Sequence, residues 1–172
     1  MAILEFVSSG INPTDKEIIG REINYLTNKD ANPHQLYGGY NFVMGSPKEI
    51  MYQFYSVSNL IRKDHIAVRH IVLSFDLFTE YFVSPNHAAL IADRFCSDTL
   101  WNDYQILYGV HDNTANLHIH FIVNTVNFRN GYLLPWNYAM EHEIYNAIKL
   151  ILQLNCSWHG KYPIKNIEAY YN

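Results

Sequence analysis

The chain has 172 residues, 49% of them hydrophobic, which suits one globular domain over residues 1–172 with a sizeable core. Its formal net charge of -4 argues against a general duplex-coating protein, because sequence-independent DNA affinity comes mainly from Lys and Arg on phosphates. Its N-terminus lacks a signal-peptide pattern, no segment approaches the ~20 apolar residues of a membrane span, and Cys96 and Cys156 lack paired-motif spacing; the expectation is a soluble cytoplasmic protein with reduced thiols.

Strand and helix alternate along the chain. Ile3 to Ser8 reads as a first strand, closed by Gly10, Asn12 and Pro13. Thr14 and Glu17 have capping-box spacing, which predicts a helix from Asp15 to about Thr27 with Tyr25 in its last turn. Residues 28–45, rich in Asn, Gly and Tyr, read as irregular. Ser46-Pro47-Lys48-Glu49 combines a cap, a proline at the first helical position and a capping-box Glu, starting a helix to about Arg62. Its Ile50, Phe54, Val57 and Ile61 share one face.

His65 to Phe75 is apolar on both parities after Arg69, as in a central strand covered on both sides. A helix from Pro85 to about Asp98 follows Ser84. Tyr104 to His111 and Leu117 to Asn127 are strands joined by a short polar loop, which implies an antiparallel pair. Asn130-Gly131 marks a tight turn, Asn137 caps a helix from Tyr138 to about Leu154, and the tail from Ile164 reads as an edge strand. The expected fold class is α+β, a mostly antiparallel sheet with helices packed on one face.

Side chains alternate across a strand, so His118, His120 and Asn124 share one face, and Leu117, Ile119, Phe121 and Val123 the other. Two imidazoles two residues apart, ~7 Å of backbone, suit chelation of one ion. The short loop folds His111 back beside His118 as a third nitrogen ligand. A His-x-His pattern alone is commonly just an exposed strand face. The third histidine and the uniformly apolar opposite face, which fixes register, weigh toward a metal site. Imidazole suits Zn2+ or Ni2+ better than Mg2+, with Mn2+ as a compromise that substrate phosphate oxygens would favour.

The run His111 to Asn124, His-x-Asn-x-x-x-Leu-His-Ile-His-x-x-x-Asn, resembles the metal motif of mobilisation-type (MobP) relaxases in the His-hydrophobe-His (HUH) endonuclease superfamily. Ile23-Asn24-Tyr25-Leu26-Thr27-Asn28 looks like that family's nucleophile motif, and His70-Ile71-Val72-Leu73-Ser74-Phe75 is similar to its central-strand signature. The resemblance covers nearly the whole chain in the right order. It implies a relaxase-like fold and a divalent ion, Mn2+ or Mg2+, on His111, His118 and His120. It also implies single-stranded DNA at an origin of transfer, with an adjacent hairpin, as the partner that is nicked. Tyr25 becomes linked to the 5′ phosphate while a 3′ hydroxyl leaves. Relaxosome accessory and coupling proteins are further implied partners. A phenol, with a pKa of about 10, needs a base or an electrostatic aid to attack at neutral pH. Asn124 is the second catalytic candidate, as a hydrogen-bond partner of a histidine, the tyrosine or the phosphate.

Two departures stand out. Where the family usually has an acid two positions after the first histidine, this chain has Asn113, with Asp112 beside it. Relaxases also commonly carry long C-terminal regions, so the sequence reads as a minimal relaxase or a catalytic fragment. Tyr145 is the rival nucleophile, because replication initiators and some transposases of the superfamily place their tyrosine on a helix after the metal motif. Its helix carries a core stripe of Ile144, Ala147, Ile148, Ile151 and Leu152, which favours packing. A further alternative is a catalytically impaired DNA-binding module. His70 is a candidate to face the site or a core histidine; Arg62, Lys63 and Arg69, and Trp101, Trp136 and Trp158, are weaker candidates for phosphate and base contacts.

Overall fold

The computed structural model describes residues 2–7, 16–61, 65–75 and 83–155. Five strands form one sheet in the order β1-β3-β5-β4-β2. They are β1 (Ala2–Val7), β2 (Tyr37–Tyr40), β3 (Val68–Phe75), β4 (Ile106–His111) and β5 (His118–Asn124), and every neighbouring pair is antiparallel. With the helices α1 (Lys16–Thr27), α2 (Pro47–Ser58), α3 (Pro85–Cys96) and α4 (Tyr138–Asn155), the class is α+β, as the sequence indicates.

The helices occupy both faces of the sheet, which corrects the expectation of a single covered face. On one face α3 and α4 bury Ile91, Phe95, Ile144 and Ile148 against Ile71, Leu73, Ile119, Phe121 and Val123. On the other, α1 and α2 bury Ile19, Ile23, Leu26, Ile50 and Phe54 against Val68, Leu107 and Ile122. The physical reason is visible in β3, whose alternating positions are apolar on both parities and need cover on both sides. Ile19, Ile23 and Leu26 are fully buried and recur at intervals of four and three, one face of a helix. Each such burial stabilises the fold by roughly 1.5–3 kcal/mol and anchors α1, the helix that carries Tyr25, to the sheet.

Local signals set most boundaries. Ser46 accepts from the Glu49 backbone N–H while Glu49 accepts from that of Ser46 at 2.7 Å, completing the capping box of α2. This helix stops at Ser58, short of Arg62, where the Leu60 and Ile61 N–H groups bond to the Val57 and Ser58 carbonyls three residues back and tighten the last turn. Ser84 caps α3, and the Asn137 side chain accepts from the Met140 N–H at 3.0 Å to start α4. The turn at Asn130-Gly131 is present, with Gly131 at φ 74 and its N–H on the Asn127 carbonyl at 2.8 Å. Strand β2 lies inside the segment read as irregular. Its two central glycines have little strand propensity, and pairing with β4 supplies the order. The Thr14 cap and the strand expected from Ile164 lie outside the described residues.

Candidate metal centre and nucleophile

Strands β4 and β5 put His111 opposite His118, and β3 puts Val72 opposite His120 and Ser74 opposite His118. One nitrogen from each of His111, His118 and His120 lies within 4.8 Å of the others. Bonds of about 2.0–2.1 Å from imidazole to an ion such as zinc would bring these atoms closer together than that limit. His111 and His120 are buried, whereas His118 is partly exposed and forms the open rim.

Hydrogen bonds leave one nitrogen of each ring for an ion. The Nε2–H of His111 donates to the Leu26 carbonyl at 3.1 Å, and its buried Nδ1 has no hydrogen-bond partner. The Nδ1–H of His118 donates to the Asn116 carbonyl at 2.9 Å, freeing Nε2. Nδ1 of His120 lies 2.7 Å from Nε2 of His70, so its own Nε2 faces the cluster. A buried imidazole nitrogen without a partner is costly unless something electropositive completes it, so the donor set fits a divalent cation. Burial, with the neighbouring histidines, pushes His120 down to about 2. Burial also lowers His111, against the opposing pull of its bond to Leu26. Both rings are therefore neutral at neutral pH, the form that binds metal.

Tyr25 reaches this cluster from the last turn of α1. Its hydroxyl is 3.4 Å from Nε2 of His120, and its ring stands edge-on to His111 and His120 at 5.0 Å from each. The side chain remains accessible, with the residue 43% exposed. The close approach of α1 depends on Gly109: a Cβ there would lie 2.6 Å from the Leu26 carbonyl oxygen. Burial, with a smaller contribution from the Glu22 charge, raises the Tyr25 phenol above its ordinary value. The Tyr25 phenol is thus protonated at neutral pH in the protein alone.

His70 belongs to this group rather than to the core. Its Nδ1 lies 3.3 Å from Oε2 of Glu22, extending the row from His120 back to α1. Glu22, held below the usual carboxylate range chiefly by that hydrogen bond, was not singled out by motif reading. A usable signal was present, since Glu22 precedes Tyr25 by three residues and so shares its helix face.

Asn124 is not brought to the cluster. It is fully buried four residues further along β5, where its amide donates to the Phe54 carbonyl and Gln105 Oε1, both at 2.9 Å, and its oxygen accepts from the Val126 N–H. Sharing a strand face with His120 gave it direction but not proximity. Tyr145 packs with α4 against the core on the opposite face of the sheet, away from the histidines. Trp101 is fully buried against Phe95, the Trp136 N–H donates to Glu141, and the Arg69 guanidinium lies over the Trp136 ring. Arg62, Lys63 and Trp158 lie outside the described residues. Asn113 is exposed, and the adjacent Asp112 pairs with His34 at 2.9 Å.

An antiparallel sheet that presents a His-hydrophobe-His pair beside a third histidine, with a helix-end tyrosine over them, defines the HUH endonuclease class. Residues 25–155, more than half of the chain, match the family described as Relaxase: MobA/VirD2-like, nuclease domain. The chain belongs to this family of relaxases. Neither the curated proteins nor the solved structures yield a match. Family membership supports DNA nicking in mobilisation, with single-stranded DNA at an origin of transfer as the substrate class. Among the described residues no helix is long and apolar enough to cross a membrane.

Proposed function

We propose that this relaxase is a metal-dependent, site- and strand-specific nickase. It acts on single-stranded DNA at an origin of transfer, beside a hairpin, to mobilise a plasmid or integrative element. The observation that carries this reading is the Tyr25 hydroxyl lying 3.4 Å from the inward-facing nitrogen of His120. His111 through Nδ1, and His118 and His120 through Nε2, are the residues to hold the ion, with Mn2+ or Mg2+ as the working metal and Zn2+ or Ni2+ compatible with the ligand set. A bound divalent cation supplies positive charge that orients the scissile phosphate, stabilises its developing charge and offsets the raised phenol pKa.

The reaction is a transesterification. The Tyr25 oxygen attacks phosphorus and loses its proton, and the bond from phosphorus to the 3′ oxygen breaks. That oxygen takes up a proton and leaves as a 3′ hydroxyl. One phosphodiester is exchanged for one phosphotyrosine ester, so a later attack by a 3′ hydroxyl reverses the step and joins strands. The exposed flank of Tyr25 and the partly exposed His118 give the phosphate access. This reading includes a cytoplasmic setting, with relaxosome accessory and coupling proteins as partners.

The test is intact-protein and peptide mass spectrometry after incubation with candidate origin oligonucleotides and manganese. The expected product is a nucleotide adduct on the peptide containing Tyr25, absent when chelator replaces manganese. An adduct on Tyr145, or none across oligonucleotides representing the known classes of transfer origin, would overturn the proposal.

A further inference from the structure

Each histidine of the cluster can bind an ion only with its proton on the other ring nitrogen. For His111 and His118 that choice is fixed by backbone carbonyls, those of Leu26 and Asn116, which can only accept. His120 is different. Its partner is the Nε2 of His70, and a neutral imidazole nitrogen is either a donor or an acceptor. Taken as a pair, the two rings permit both directions of the 2.7 Å hydrogen bond, and one of them puts the His120 proton on Nε2, where an ion should bind.

Glu22 removes the ambiguity. Its carboxylate, only 12% exposed at the side chain, has Oε2 at 3.3 Å from His70 Nδ1 and Oε1 at 3.1 Å from the Arg21 guanidinium. A carboxylate accepts and does not donate, so a neutral His70 carries its single ring proton on Nδ1 and presents a lone pair at Nε2. His120 must then donate through Nδ1, leaving the Nε2 lone pair toward His111, His118 and the Tyr25 hydroxyl. We propose that Glu22 and His70 are positioning residues that form a one-way relay, in which an acceptor-only carboxylate on α1 sets the tautomer of the buried ligand His120 and thereby the affinity of the site for a divalent cation. The consequence for affinity rests on the metal-centre reading above; the tautomer assignment does not.

Asn113 stands apart from this relay. This loop position is exposed and bears no acid, whereas the carboxylate that reaches the ligand row comes from α1, one turn before Tyr25. One helical turn thus couples the orientation of the nucleophile to that of the metal ligand.

Glu22→Gln tests the relay, since it preserves shape but can donate as well as accept. Two quantities are measured on the whole chain: the manganese dissociation constant by calorimetry, and, without metal at pH 8, the imidazole tautomers by long-range 15N–1H NMR. Wild type should show His120 protonated at Nδ1. Glu22→Gln should shift part of that population to Nε2 and weaken manganese binding by about 10–100-fold, the usual cost of losing a hydrogen-bond partner behind a ligand. Its melting temperature in chelator, which a merely structural role would lower, should remain near wild type. His70→Leu should weaken binding at least as much, while His118→Ala should abolish it. Unchanged tautomers and affinity in Glu22→Gln, with His118→Ala inactive in binding, would overturn the relay and leave the metal centre standing. A wild type that binds no manganese yet keeps His120 protonated at Nδ1 would overturn the metal centre and its affinity consequence, and leave the tautomer assignment intact.

Discussion

The two faces of strand β5 are made by alternate residues of one seven-residue segment, yet they end in different states. Ile119, Phe121 and Val123 join a continuous apolar core with α3 and α4. On the other face only Ile122 is apolar; Asn124 ties the far end to α2, and His118 and His120 occupy the end beside Tyr25. One face is closed by non-directional packing of apolar side chains. The other is held by a smaller apolar patch and directional hydrogen bonds, and so presents unsaturated nitrogen atoms at the edge of a folded domain. Stability and chemistry are therefore separated by a single-residue alternation.

The sharpest way to break this comparison is through the tyrosines, one on each side. Tyr25→Phe should remove covalent attachment to an origin oligonucleotide altogether and lower nicking by at least about 10³-fold, because the covalent step loses its nucleophile. Tyr145→Phe should leave both near wild type, and a reversal of this pattern on a denaturing gel would move the chemistry to the wrong face.

Phe121→Ala carries the next effect. It empties a fully buried site against Phe95, at a 4.8 Å ring separation, and should cost about 3–5 kcal/mol in urea unfolding. Manganese affinity of the folded fraction should be unaltered; a selective loss of metal binding would show that the faces are not separable. Asn124→Ala comes third. It leaves the Phe54 carbonyl and the Gln105 side chain without their donor, and should destabilise by about 1–3 kcal/mol. Nicking per folded molecule should hold, and a specific rate loss at full stability would restore Asn124 to the site.

Acid gives the most graded effect. In the metal-free fold His120 is held down to about 2 and His111 is also lowered, both chiefly by burial, against an ordinary value of 6.5. Below 6.5 the unfolded chain takes up protons that these folded rings refuse. Stability is thus fully present above 6.5 and declines as the pH falls toward the folded values, by about 1.4 kcal/mol per pH unit for each ring fully engaged. Urea midpoints in chelator at pH 7.5, 6.5 and 5.5 should fall in that order; a flat or rising series would mean that the rings are not buried in neutral form.

Much of the site was legible because it rests on short-range rules. Alternation put His118 and His120 on one face, and the short loop returned His111 to them; the observed register agrees. The same rule misdirected Asn124, since periodicity gives direction without distance, and four strand residues carry a side chain beyond contact. It was also incomplete for the helices, which cover both faces. The two-sided apolar pattern of β3 already required this, whereas the amphipathic reading of β5 treated its histidine face as open.

Sequence by itself determined the order of elements, the capping signals of α2, α3 and α4, the histidine row and the relaxase family, because each depends on residues close together in the chain or on an ordered set of motifs. Tertiary structure decided which partners those residues meet. The approach of α1 over Gly109, the pairing of Glu22 with His70 and of His70 with His120, and the placement of Tyr25 rather than Tyr145 over the histidines all join elements far apart in sequence. They are set by the burial of Ile19, Ile23 and Leu26 against the sheet, a long-range packing that local patterns do not encode.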